Sequence, residues 1–230
     1  MIFNGFQKLT LLDFPGHVAC TLFTGGCNFR CPFCHNASLV THLNDTDHYN
    51  DDFVIDYLKK RKGILDGVCI TGGEPLLHDD LEDFIKKIKE IGYLIKLDTN
   101  GYLPEQLINL VNNSLIDYVA MDIKNSKDKY SLSVGLDDID IKKIERSVSF
   151  LLENRVEYEF RTTVVKELHT PNDIESISRW ISGAKRYFLQ NFIDSGDLIG
   201  DNLSSAEPNL LYEMQDISSK YVQKVEIRGI

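Results

Sequence analysis

The sequence has no long hydrophobic run and no excess of positive charge, and each absence excludes a class of protein. No stretch approaches the roughly 18 consecutive apolar residues of a membrane span, so we expect no membrane partner. Residues 1–5 lack the basic region of a signal peptide, which argues against secretion. With 25 Lys and Arg against 35 Asp and Glu, the formal net charge is −10. Such a surface repels phosphate backbones, so we expect no nucleic-acid partner.

A regular cysteine framework is also missing. There are five cysteines, an odd number, and three of them fall between residues 27 and 34. This is a poor disulfide framework for a secreted protein, and it favours the reducing cytoplasm, where such a cluster binds metal or does redox chemistry. Cys20 and Cys69 lie inside apolar runs and are interpreted as core residues.

The chain shows no internal repeat and no Pro-, Gly- or Ser-rich linker, so we expect residues 1–230 to form a single domain. Short apolar runs predict six strands and a short seventh: 18–24, 67–71, 94–98, 117–124, 157–165, 185–192 and 225–228. Their near-continuous apolar character predicts strands that are covered on both faces. Helical periodicity follows Asp80 and stops at Gly92, and Pro104, Pro171 and Pro208 mark three further helix starts.

Alternation of strands and helices predicts an α/β fold whose parallel strands are joined by right-handed crossovers. Six such units are too few for a closed eight-stranded barrel. The pattern therefore predicts a partial, open (β/α)6 barrel of the TIM type or an open doubly wound sheet. In either architecture, ligands bind at the carboxyl ends of the strands.

Cys27, Cys31 and Cys34 form a C-x3-C-x2-C motif directly after the first predicted strand. A four-iron cluster ordinarily takes four cysteines, so three would leave one iron open to bind a substrate. The alternative is a zinc site of three cysteines and His35, in a binding module without catalysis. It fits less well, because His35 directly follows Cys34 and zinc ligands usually come as two separated pairs.

An aromatic residue, Phe33, directly precedes the third cysteine, and with it the motif resembles the radical S-adenosylmethionine (SAM) superfamily. The segments 13–16 (Asp-Phe-Pro-Gly) and 34–36 (Cys-His-Asn) are similar to the activating enzymes of glycyl-radical enzymes. They are most similar to the branch that activates anaerobic ribonucleoside-triphosphate reductase. The resemblance spans about residues 5–192. It implies the partial (β/α)6 barrel, a [4Fe-4S] cluster on the three cysteines, SAM at the open iron, a glycyl-radical enzyme as protein substrate, and a flavodoxin- or ferredoxin-like electron donor.

Polar residues follow several predicted strands at the edge where the motif lies. Glycines after the second strand let a ligand approach the backbone closely, and a buried carboxylate such as Asp98 needs a partner, which a bound ammonium or cation would supply. The resemblance implies a SAM-binding role for Phe33, Asn36, Gly72, Gly73, Glu74, Asp98, Thr99, Asp122, Lys124 and Gln190. It also implies a monovalent cation near Asp98 and Asp122. Arg161 is interpreted as a structural salt-bridge residue.

The identity of the substrate stays open at this point. Pyruvate formate-lyase or another glycyl-radical enzyme is an alternative to the reductase, because the distinction rests on Phe14, where pyruvate formate-lyase activases usually have glycine. A small-molecule radical SAM enzyme of the 7-carboxy-7-deazaguanine synthase type is a further alternative.

Overall fold

An eight-stranded, mainly parallel sheet organises the chain. The computed structural model describes residues 1–230. The strands are β1 (Ile2–Phe3), β2 (Gly5–Thr10), β3 (Ala19–Thr24), β4 (Tyr49–Asn50), β5 (Gly67–Gly72), β6 (Leu94–Thr99), β7 (Tyr118–Asp122), β8 (Glu157–Val164), β9 (Arg186–Asn191) and β10 (Lys224–Arg228). The helices are α1 (Ser38–Thr41), α2 (Asp51–Lys60), α3 (Leu81–Ile91), α4 (Pro104–Asn112), α5 (Tyr130–Val134), α6 (Ile141–Leu152), α7 (Pro171–Trp180) and α8 (Pro208–Ser218).

The strand order in the large sheet is β10-β9-β8-β7-β6-β5-β3-β2. All neighbouring strands are parallel except β2, which runs antiparallel to β3. The two outermost strands, β2 and β10, do not pair with each other, so the sheet forms a partial TIM-like barrel with an open side. The six predicted parallel strands and the short seventh are confirmed. Strand β2 was not predicted, because residues 5–10 are mostly exposed and carry no apolar run.

Helix α3 shows how the sequence positions the outer layer. Leu81, Phe84, Ile85 and Ile88 are buried on one face of the helix, at the spacing that the sequence predicts. Gly92 ends the helix with a left-handed φ of 104°, and its N–H bonds to the last-turn carbonyls. Asp80 holds the position before the helix, but its carboxylate pairs with the N-terminal ammonium at 2.9 Å and does not cap the helix.

The two faces of the sheet differ in polarity. The outer face packs against helices in a hydrophobic cluster of 49 buried residues. On the inner face, alternate positions of β6, β7 and β8 carry charged side chains: Lys96, Asp98, Asp122, Glu159 and Arg161. Lys96 and Glu159 are only 2% and 1% exposed, so the sheet is covered on its inner face as predicted, but the side chains there are charged. None of the helices is long and apolar enough to cross a membrane.

Candidate active site

A cavity opens at the carboxyl ends of the parallel strands, where the sequence predicts ligand binding. It is lined by residues of the cysteine loop and of β5 to β9: Cys27, Phe29, Cys31, Phe33, Cys34, His35, Asn36, Val40, Thr71, Gly72, Gly73, Asp98, Thr99, Asn100, Asp122, Lys124, Arg161, Thr163 and Gln190. The structure thus brings together every residue that the resemblance implies except Glu74.

The cysteine loop lies between β3 and α1 and is fixed to the neighbouring loop by backbone contacts. The N–H of Glu74 donates to the Gly26 carbonyl at 2.8 Å, and the N–H of Gly73 donates to Thr24 at 2.8 Å. A Cβ atom at Gly73 would lie 1.8 Å from the Gly26 oxygen. Only glycine permits this approach, so Gly73, directly after β5, sets the position of the cysteine loop.

The three thiols of the motif are free and share the cavity. Burial raises the pKa of Cys31 to about 12, while the Lys124 ammonium opposes this shift. Burial also raises the pKa of Cys27 and Cys34. Metals bind the thiolate, so a bound cationic centre would supply the charge that keeps these buried sulfurs deprotonated.

The donor set of the cavity consists of three cysteine sulfurs from one loop. Cysteine thiolates are the ligands that hold iron–sulfur clusters. Beside Cys27, the Asn28 side-chain amide nitrogen is buried without a hydrogen-bond partner, which suits a bound acceptor. The residues therefore fit a [4Fe-4S] cluster with three cysteine ligands.

A second wall of the cavity is a network of ion pairs on the inner face of the sheet. Arg161 donates from Nε to Asp122 at 2.8 Å and from Nη1 to Asp98 at 3.0 Å. Lys96 pairs with Asp98, and Lys124 pairs with Asp122 at 3.0 Å. The interpretation of Arg161 as a salt-bridge residue is confirmed. Its side chain also lines the cavity, where the alternation of β8 places it beside Thr163.

Opposing effects act on the two carboxylates of this network. Burial raises the pKa of Asp122, but Arg161 and Lys124 outweigh it and hold the pKa well below its ordinary value. Burial also raises the pKa of Asp98, but Arg161 and Lys96 outweigh it, so the pKa lies below its ordinary value. Burial opposes the charged form of Lys124, yet Asp122 raises the pKa of its ammonium. All of these groups are charged at neutral pH, as buried ion pairs require.

Glu74 lies behind the cavity wall, only 1% exposed. Its carboxylate accepts hydrogen bonds from the Thr99 hydroxyl at 2.8 Å and from the N–H groups of Leu76 and Asn100 at 3.1 and 2.7 Å. These bonds join the loop after β5 to the loop after β6. Glu74 therefore positions the residues that line the cavity, and its carboxylate is itself engaged in the protein.

Two positioning residues had no assigned role in the sequence. The Asn100 amide donates to the Cys27 sulfur at 3.8 Å and to Asn28 at 2.8 Å. His169 is buried, accepts from the Val165 N–H, and hydrogen-bonds the Lys124 carbonyl at 2.9 Å. Asn-Gly at 100–101 is an ordinary turn signal, and a lone histidine has no pattern, so neither role is visible without the fold.

Comparisons with known proteins agree with this geometry. The sequence profile of the Radical SAM superfamily matches residues 21–181. A "putative glycyl-radical enzyme activating enzyme" of Methanocaldococcus jannaschii is 35% identical over 99% of this chain and 95% of its own length. A domain of pyruvate-formate lyase-activating enzyme from Bacteroides vulgatus has the same fold, with 18% identity and a TM-score of 0.58 over 71% of this chain and 99% of that one. Streptococcus suis SuiB bound to S-adenosylmethionine matches 91% of this chain and 52% of its own, with 16% identity and a TM-score of 0.65.

Proposed function

The chain belongs to the radical SAM superfamily, in the family of glycyl-radical enzyme activating enzymes, and from this membership we propose that it installs a glycyl radical on anaerobic ribonucleoside-triphosphate reductase. It is a radical SAM enzyme, so the alternative of a zinc module without catalysis is wrong. The family implies a [4Fe-4S] cluster and SAM. Residues 1–230 act as one radical SAM domain in this proposal.

The observation that carries the proposal is the meeting of the three motif cysteines with the strand-end residues at one cavity. Cys27, Cys31 and Cys34 hold the cluster in this proposal. Bound there and reduced, the cluster would supply the single electron for reductive cleavage of SAM, the chemistry by which a glycyl radical would be formed on the partner. The protein's own residues position the reactants and exclude water.

The strand-end residues orient SAM in this proposal. Its methionyl group carries a carboxylate, and the cavity offers the Lys124 ammonium, which Asp122 holds at 3.0 Å. Gly72 and Gly73 line the cavity without side chains, which leaves room for a ligand beside them, while Phe33, Asn36, Thr99 and Gln190 line the remaining wall. Asn36 is itself held by a hydrogen bond from its amide to the Gly72 carbonyl at 3.0 Å.

The substrate class follows from the open architecture and the relatives. The barrel is open between β2 and β10, so a loop of a folded protein has a lateral path to the site. Near full-length similarity to an activating enzyme supports a protein substrate over the 7-carboxy-7-deazaguanine synthase alternative. A flavodoxin- or ferredoxin-like protein supplies the electron, and the five free cysteines suit a reducing, anaerobic cytoplasm.

The test is anaerobic reconstitution with iron and sulfide, followed by incubation with SAM, a reductant and the reductase of the same organism. We expect a glycyl-radical doublet on the reductase in electron paramagnetic resonance, and no doublet without SAM. SAM cleavage without a doublet on the reductase would overturn the choice of partner, and pyruvate formate-lyase would then be the next substrate to incubate. Absence of SAM cleavage in the reconstituted protein would overturn the activity itself.

A further inference from the structure

We propose that Arg161 is a built-in counter-ion that replaces the monovalent cation expected between Asp98 and Asp122, so that SAM binding here requires no metal cation. The inference rests on the proposed SAM site and adds the means by which that site is neutralised. It also departs from the family resemblance, which implies a cation at this point.

The first argument is the position of the guanidinium. Arg161 and Asp122 are register partners on β8 and β7, and Asp98 lies on β6, beyond β7. From β8 the guanidinium reaches Asp122 on the neighbouring strand β7 at 2.8 Å and Asp98 on the next strand, β6, at 3.0 Å. Its planar fork can bridge two carboxylates in this way, whereas the ammonium of a lysine is a point charge.

The second argument is the occupancy of the carboxylate oxygens. A monovalent metal ion at this place would need oxygen ligands that face it. In Asp98, Oδ1 accepts a hydrogen bond from Lys96 and Oδ2 accepts one from Arg161. The Thr71 hydroxyl also donates to Oδ2, at 3.2 Å. Asp122 directs Oδ1 to Arg161 and Oδ2 to Lys124. All four oxygens therefore already have a protein cation as partner.

The third argument is the charge of the group. Three cations, Lys96, Lys124 and Arg161, surround two carboxylates, so the network carries one surplus positive charge. A further carboxylate on this face, Glu159, is engaged with the Tyr118 hydroxyl at 2.8 Å and with Arg228 at 3.4 Å. An added metal cation would be repelled by this surplus positive charge in a poorly solvated site, whereas the negatively charged SAM carboxylate would be attracted by it.

The test measures SAM affinity of the cluster-loaded protein by calorimetry without reductant, so that no turnover occurs. The salts are sodium, potassium and choline chloride at equal ionic strength. We expect the wild-type Kd to stay within about twofold in all three. Arg161→Gln should bind SAM at least tenfold more weakly in choline and regain affinity in potassium or sodium. Arg161→Lys should depend on the cation less than Arg161→Gln does.

The matched control is Arg186→Gln, which removes an arginine from the same inner face at the opposite end of the strands, where it pairs with Glu157. It should leave both the SAM affinity and its salt response unchanged. A wild-type Kd that rises tenfold or more in choline overturns the inference, even if Arg161→Gln does not fold. Absence of SAM binding by the wild type in every salt overturns the proposed function, and the inference with it.

Discussion

Glu74 differs from the other buried carboxylates because its partners are all neutral. Three hydrogen-bond donors face it and no cation pairs with it. Burial therefore dominates and raises its pKa to about 7, from an ordinary value of 4.5. Between these two values the folded protein holds a proton that the unfolded chain has released.

This difference predicts the pH dependence of stability. Because the folded state binds more protons between pH 4.5 and pH 7, the Glu74 contribution to the free energy of unfolding falls as pH rises through that window. The loss amounts to about 3 kcal/mol. The measurement is urea unfolding of the cluster-free protein in reducing buffer between pH 5 and 7.5. As pH rises, the free energy of unfolding of wild type should fall relative to that of Glu74→Gln. A difference that is constant or grows with pH would contradict the assignment.

At this scale the sequence predicted the residues of the site better than their partners. The cysteines stand in a short motif, and residues such as Asp122 stand at strand ends, so local pattern is sufficient to find them. The expectation that Asp98 needs a partner was correct, but Lys96 and Arg161 supply it. Arg161 is 63 residues from Asp98 along the chain, and only the folded sheet brings them together.

Among the elements, the loops that follow β3 and β5 matter most for the site, because each fixes the other. Gly73→Ala would place a Cβ 1.8 Å from the Gly26 oxygen, so the cysteine loop must move. We expect at least a tenfold loss of SAM affinity and reduced iron content, with about 1–3 kcal/mol less stability.

The control for this prediction is Gly63→Ala. That glycine has φ +82° and no atom within 4 Å of the added Cβ, so only backbone strain of about 1–2 kcal/mol is expected. The SAM affinity and iron content of the Gly63→Ala protein should equal those of wild type. Normal SAM affinity in Gly73→Ala would show that the loop contact does not position the site.

The periodicity of apolar residues was sufficient to predict which segments form helices and which form strands, but it did not predict that the inner face of the sheet is charged. Helix α3 was predicted correctly because Leu81 and Ile88 repeat at helical spacing and Gly92 stops it. In β8, the residues EYEFRTTV form the strand that the sequence predicts at 157–165, but that run does not show which charged members face a common interior. Glu159 and Arg161 lie in the polar interior of the folded sheet, whereas Glu157 is exposed at the start of the strand.

For the whole molecule, the division between a helix-covered outer face and a charged inner face explains how the chain combines a stable core with a polar cavity. The hydrophobic core lies outside the sheet and holds its curvature. The inner face can then carry ion pairs and a cavity that opens at the strand ends. The strand–helix alternation reduced the fold to a partial barrel or an open doubly wound sheet, because parallel strands allow few topologies, and the family resemblance selected the barrel.

The most direct test of the central claim compares single cysteine variants after anaerobic reconstitution. Wild type and Cys20→Ala, which alters a buried core thiol, should contain about four iron and four sulfide per chain and release 5′-deoxyadenosine from SAM with a reductant. Alanine at Cys27, Cys31 or Cys34 should abolish that release. Intact SAM cleavage in any of these three variants, or a wild-type protein that holds zinc and no sulfide, would contradict the account.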